Sequence, residues 1–173
     1  KGMHEDALNA LEQGRRDLAE DVVARDTDVD RLHWLVHRQF SLIVENPSLS
    51  LKMGITPAIA ATYYQISRII ERVGDHTVLI AEAAEILIDK GVDRMLVVKL
   101  TELSEFSLDI FNKSIQAIYS GSIPGANKII TEVEEMGPKY HGLADSIRKM
   151  RVPEAVAVTQ ITQSLHRITE YSS

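Results

Sequence analysis

Cysteine is absent from the chain, which excludes a disulfide framework, thiolate metal sites and cysteine nucleophiles. That absence is compatible with a cytoplasmic location. Aromatic residues make up only 5% of the sequence, so an interior must be built from Leu, Ile, Val and Ala, which suits helix-on-helix packing. No apolar run approaches the ~20 residues that a membrane-spanning helix requires, and no signal-peptide pattern opens the chain, so no membrane insertion is expected. Positive charge is outnumbered, with 19 Lys and Arg against 25 Asp and Glu and a net charge of −6. A nucleic-acid surface needs clustered cations to neutralise phosphates, and none is expected here. The short runs Arg15-Arg16 and Arg148-Lys149-Arg151 read as solvated helix ends. Also missing are a Gly-rich phosphate loop, a strand-turn-helix nucleophile elbow and any Glu-x-x-His pair of the ferritin-like di-iron type. These absences disfavour an enzyme.

What the 173 residues do contain is amphipathic helix, divided by helix breakers into six stretches. The first runs from about Met3 to Gln13 and stops at Gly14; the second runs from near Asp17 to Glu45, where Asn46-Pro47 ends it. Residues from Asn46 to Gly54 read as a loop. A third begins with Thr56 as N-cap and Pro57 in its first turn, and Gly91 closes it. The fourth covers Val92 to Ser120. The fifth starts from Ser122 and should kink or break at Gly137-Pro138, and the sixth opens at Pro153-Glu154 and is still running at Ser173. In the third stretch, Ile59, Ile66, Val73, Ile80 and Leu87 recur every seven residues, interleaved with Tyr63, Ile70, Thr77 and Ala84. Such a heptad seam predicts one face held inside a bundle. A looser series in the second stretch comprises Leu18, Val22, Val29, Leu32, Val36 and Ile43. Two blocks of similarity, at shifts of 107 and 95 residues, indicate duplication. The expected fold is therefore all-α: six helices in two tandem three-helix bundles, residues 1–90 and 91–173, the second cut short at its C-terminal end.

Against the seam, the carboxylates become readable. Glu71 and Asp75 are four residues apart and share a helix face; Asp26 and Asp30 have the same spacing on the second stretch. Like charges so placed repel by a few tenths of a kcal/mol in an isolated helix, and a cation between them reverses the sign. Two helices, each presenting such a pair, form an oxygen-rich site for a divalent or ferric ion. His33 and His37 continue the stripe of Asp26 and Asp30, and imidazole would admit iron, manganese or zinc as well as magnesium. Glu82 extends the other stripe, while His76 points to a neighbouring face. The bland alternatives are a solvated acidic face, salt bridges from Arg68 and Arg72, and histidines packed beside Trp34 without ligand duty. Gly74, inside the heptads, marks a close packing point.

The run Ile69-Ile70-Glu71-Arg72-Val73-Gly74-Asp75-His76, followed by Ile80-Ala81-Glu82, resembles the signature of the PhoU family. Leu18-Ala19-Glu20-Asp21-Val22-Val23, with Arg25-Asp26 and Asp28-Val29-Asp30, is similar to that family's first-repeat helix. The resemblance implies a pair of three-helix bundles and a negative regulator of phosphate uptake. Such a protein works in the cytoplasm with a phosphate ABC transporter, its ATPase component or a signalling partner such as a sensor kinase. It also implies metal bound through E/D-x-x-x-D motifs, here Glu71 with Asp75 and Asp26 with Asp30. In the second half the matching positions are His166 and Glu170, and Val133 and Gly137, with Glu132 and Glu135 out of register. Metal occupancy is therefore expected to be asymmetric, chiefly in the first half. The D-L-R common at the start of the family's third helix is missing. In archaeal relatives a small AbrB-like DNA-binding domain can precede such a region, and the start at Lys1-Gly2-Met3 would suit its removal. The other functions in view are an accessory domain of a potassium or sodium-phosphate carrier and, behind it, a metal-dependent enzyme. A homodimer is compatible with a long bundle, but no seam can be assigned to it.

Overall fold

The structure is a computed structural model that describes residues 1–91, 93–141, 143 and 147–173, with side chains left aside for 136–141. Among the described residues all regular structure is helical: α1 (Gly2–Gln13), α2 (Arg16–Glu45), α3 (Pro47–Met53), α4 (Pro57–Lys90), α5 (Arg94–Ser120), α6 (Ile123–His141) and α7 (Val152–Ser172). The all-α expectation holds, but the number of helices does not: seven are described, not six. The extra one is α3, where a loop was expected. Asn46 does end α2, yet its side chain then accepts hydrogen bonds from the backbone N–H groups of Ser48 (3.1 Å) and Leu49 (3.2 Å), and Pro47 opens the next helix. Gly54 ends that turn at φ 65°. The expected break at Gly137-Pro138 is also absent, since α6 stays helical to His141. Proline removes one intrahelical hydrogen bond, and the rest of the ladder carries the helix past it. Thr56 caps α4 through the Ile59 N–H (3.3 Å), and Ser122 receives the Gly125 N–H (3.1 Å), both as the sequence indicates.

Cross-helix contacts set the directions. Arg16 on α2 forks to Glu85 (2.8 Å) and Asp89 (3.0 Å) on α4, while His33 meets Ser67, so α2 and α4 are antiparallel. On the other side of α4, Gln160 reaches the Leu79 carbonyl and His76 reaches Ser164, which makes α7 antiparallel to α4. Ser107 and Ser114 on α5 donate to the carbonyls of Leu165 and Ser172, so α7 runs parallel to α5. One continuous apolar core results, with Leu8 and Leu11 from α1, Ile80 and Leu87 from α4, Leu100 and Leu103 from α5, and Ile161, Leu165 and Ile168 from α7. Truncating any of the fully buried Leu or Ile side chains to Ala should cost about 2–5 kcal/mol.

The heptad seam of α4 is buried along only half its length. Val73, Thr77, Ile80, Ala84 and Leu87 are buried, whereas Ile59, Tyr63 and Ile70 are 46%, 55% and 40% exposed. Helix length explains this. The 12 residues of α1 span only about 18 Å at 1.5 Å per residue, and the last residues of α7 reach α4 only at the level of Ile66 to Ile70. Beyond that level α4 has α2 and little else to cover it. Leu32, assigned to the seam of α2, lies in the same stretch and is 63% exposed.

Candidate metal centre

Along the α2–α4 interface, Gly74 lets two helices approach closely. A Cβ added there would lie 3.1 Å from Asp26 Oδ1 and 3.3 Å from Val29 Cγ1, so the missing side chain is what makes room for the Asp26 carboxylate. One turn along α2 comes Asp30, and from α4 comes Asp75. Each of the three offers a carboxylate oxygen, and these oxygens lie within 4.8 Å of one another. Glu71 stands outside this trio but close enough that its charge acts on Asp26. The antiparallel register brings the two pairs toward each other, as their spacing predicts, with Asp75 rather than Glu71 nearest the α2 acids.

Electrostatics mark Asp26 and Asp75 as strained while ionised. Burial pushes the Asp26 carboxyl above its ordinary pKa, and the charges of Asp30, Asp75 and Glu71 push it further. Asp75 is raised too, by burial and then by Asp30, against the opposing pull of His76, Arg72 and His33. Asp26 Oδ1 is buried and, among the described residues, accepts no hydrogen bond. A buried carboxylate oxygen with no donor is costly, and a cation would satisfy it. The residues therefore fit a metal ion: an all-oxygen donor set, an unpartnered buried oxygen and a backbone cradle beside it.

Other sequence candidates are placed elsewhere. Asp28 pairs with Arg31 (3.2 Å), away from the trio. Glu82 is exposed and not among the converging acids. His76 turns to α7, 3.3 Å from Ser164 Oγ and beside the Tyr171 ring. Among the described residues neither Arg68 nor Arg72 forms an ion pair with a carboxylate. Arg72 instead lies over the Tyr171 ring at 5.2 Å, so salt-bridging arginines do not explain the acidic stripe. Arg15 and Arg16 are both neutralised by acids, Asp17 for the first and Glu20, Glu85 and Asp89 for the second. In the second half, Glu132 is held by Lys113 (2.7 Å) and Glu170 by Arg167 (2.8 Å), so neither faces another carboxylate unpaired.

His33 and His37 lie on an aromatic shelf at the distal end of α2 and α4. Tyr64 stacks on His33 (5.9 Å) and on Phe40 (5.1 Å) and tilts over His37 (4.9 Å), while Trp34 meets both histidines edge-on. Ser67, which hydrogen-bonds His33 Nδ1 at 3.2 Å, was not singled out from sequence. Its only signal is its position one turn before Glu71 on the same helix.

Residues 1–84 match the model of the PhoU domain. That match takes in just under half of the 173 residues. Over 99% of its length the chain is similar in fold to PhoU from Pseudomonas aeruginosa, at 16% identity and a TM-score of 0.83, covering 83% of that protein. The phosphate transport system regulatory protein PhoU from Streptococcus pneumoniae superposes with a TM-score of 0.77 at 19% identity, over 99% of this chain and 81% of that one. No curated protein is recognisably similar to the chain in sequence. Among the described residues, no helix is long and apolar enough to cross a membrane.

Proposed function

We propose that this PhoU-domain protein is a metal-binding cytoplasmic adaptor that regulates phosphate uptake through contact with a phosphate transporter. The contact would be with the transporter's ATPase component or a signalling partner. The metal reading is carried by the convergence of carboxylate oxygens from Asp26, Asp30 and Asp75 to within 4.8 Å, with Asp26 Oδ1 lacking a donor among the described residues. Glu71 completes the ligand set in this reading. With oxygen donors the site takes magnesium, manganese, ferric or ferrous iron, or zinc. The cation would draw α2 and α4 together and fix the spacing of the face they share. The transporter reading rests on the PhoU domain and on what the Streptococcus pneumoniae relative is named for, phosphate transport regulation. Two helical units, residues 1–90 with α1 to α4 and residues 91–173 with α5 to α7, are the organisation proposed with it. The PhoU domain match lies within the first of them.

The test is metal content after purification without chelators. Wild type should carry about one ion or cluster, and the double variant Asp30→Asn with Asp75→Asn should carry none while keeping its helical circular dichroism. Equal metal in both proteins would remove the metal reading. The second reading, an accessory domain of a potassium or sodium-phosphate carrier, is separated by the genes beside the coding sequence. Phosphate-permease genes there favour the first reading; a channel or symporter gene favours the second.

A further inference from the structure

We propose that two helical hairpins of this chain carry ionic keys of opposite sign, which keep α1 paired with α2 and α5 paired with α6. The keys block the exchanged pairings, α1 with α6 and α5 with α2.

The hairpins are alike in shape. Gly14 ends α1 at φ 65° and Gly121, 107 residues later, ends α5 at φ 63°. The next residue closes each turn in the same way: the Arg15 N–H donates to the Ala10 carbonyl (2.9 Å) and the Ser122 N–H to the Ala117 carbonyl (3.1 Å). Val22 on α2 and Ile129 on α6, also 107 apart, are both buried. Turn and apolar pattern therefore do little to tell the right partner from the wrong one.

Charge does so. In the first hairpin Asp6 on α1 meets Arg25 on α2 at 2.5 Å, and Arg25 is held in turn by Asp21 (2.9 Å), one turn back on its own helix. In the second, Lys113 on α5 meets Glu132 on α6 at 2.7 Å, and Glu132 is held by Lys128 (3.6 Å), again one turn back. Each of these three positions lies 107 residues from its counterpart, and at each the sign is reversed. Lys113 has one further tie, to Asp109 (2.6 Å) on α5, where the first hairpin has Gly2.

Exchange of partners would set Asp6 against Glu132 and Lys113 against Arg25. The flanking charges, a turn further off, offset only part of that repulsion, because Coulomb energy falls with distance. The four cross-helix side chains are between 24% and 39% exposed, so the correct pairs add only modestly to stability. Their larger effect is on the choice of partner, since a like-charge contact penalises the wrong pairing as well as forfeiting the right one. A chain with two hairpins of one shape needs such a device, because mispairing within a chain or between copies is the failure to which repeated units are prone.

The test is an exchange of keys in the full chain. Asp6→Lys, Asp21→Lys and Arg25→Glu give the first hairpin the signs of the second, with its own pair still satisfied. Tm should stay within about 4 °C of wild type. The yield of native monomer on dilution from urea should fall at least about threefold, the remainder collecting as misassembled chains and dimers. Lys113→Asp, Lys128→Asp and Glu132→Arg, made with Asp109→Ala, should do the same from the other side. Combining the two sets makes the keys opposite again and should restore the wild-type yield. Refolding of the first set at wild-type yield overturns the proposal. So does a combined variant that refolds no better than either set, since the charges would then matter only within each hairpin.

Discussion

Asp26 and Asp75 are held above the ordinary Asp value of 3.8 by burial and then by the charge of Asp30, with Asp75 and Glu71 adding to the effect on Asp26. The folded protein therefore binds their protons more tightly than the unfolded chain does. The stability this confers is full below the ordinary value and is lost as pH rises through the raised folded values. At neutral pH, without a cation, ionised Asp26 and Asp75 work against folding. Neutralising one member should help: Asp26→Asn or Asp75→Asn in chelator-treated protein is expected to raise Tm by about 2–4 °C, the shift that ~1 kcal/mol produces in a chain of this size. With saturating metal the order should reverse, because only wild type gains the ligand term. Differential scanning calorimetry with and without metal checks both signs, and a lower Tm for the metal-free variants would refute the strain. Gly74 tests the geometry from the other side. Gly74→Ala gains about 1 kcal/mol of helix propensity. It must also fit a methyl 3.1 Å from Asp26 Oδ1 and 3.3 Å from Val29 Cγ1. Overpacking costs typically ~1–3 kcal/mol, so the expected net is a loss of about 1 kcal/mol in urea unfolding. Metal affinity should fall at least tenfold. Undiminished metal affinity would mean that the Asp26 carboxylate does not need the cradle.

At the scale of elements, α3 shows how one dipeptide serves two purposes. Asn46-Pro47 stops α2, because proline disfavours helical backbone before it, and the same two residues then open α3 as N-cap and first helical position. Asn46→Ala should cost about 1 kcal/mol of helix stability. Because no residue of α3 is buried and its packing is chiefly against α2, the loss should stay local. Amide exchange over residues 47–53 should quicken, while exchange over α4 is unchanged; equal quickening in α4 would show α3 to be structural for the whole bundle. What could be read from sequence follows the same division. The boundaries of α1, α2, α4 and α5 were legible because Gly14, Thr56 and Gly121 perform the local chemistry their types suggest. The seam of α4 was legible as helix but not as burial. Ile59 and Ile80 occupy equivalent heptad positions, and only the length of α1 and α7 decides which is covered. The acidic pairs were legible from i, i+4 spacing. That Asp75 rather than Glu71 joins the trio, and that Ser67 orients His33, depends on the register between two helices, which no single helix encodes.

For the molecule as a whole, the contact to watch joins positions 4 and 104. His4 on α1 is 3% exposed, and its Nε2 lies 2.7 Å from Ser104 Oγ on α5, while its Nδ1 has no partner. Burial pushes its pKa down from 6.5 to about 4, so the folded protein keeps this imidazole neutral where the unfolded chain would protonate it. The sign is opposite to that of the aspartates. Stability from His4 is full above pH 6.5 and is lost as pH falls toward 4, by about 3 kcal/mol in total at 1.36 kcal/mol per pH unit. Below neutrality the two effects compete in one molecule, since acid relieves the Asp26 and Asp75 repulsion and at the same time penalises the buried histidine. Single variants separate them. In metal-free protein, His4→Gln should convert the acid-side fall in unfolding free energy between pH 6.5 and 4.5 into a flat or rising profile. Asp26→Asn should instead make that fall steeper. Because His4 ties the first helix to the fifth across 100 residues of sequence, its protonation should loosen α1 from α5 before the α2–α4 pair opens. Amide exchange at pH 5 should then quicken in α1 and in the facing turns of α5 around Ser104 while α4 stays protected, and uniform quickening across all three helices would show that His4 acts only on global stability.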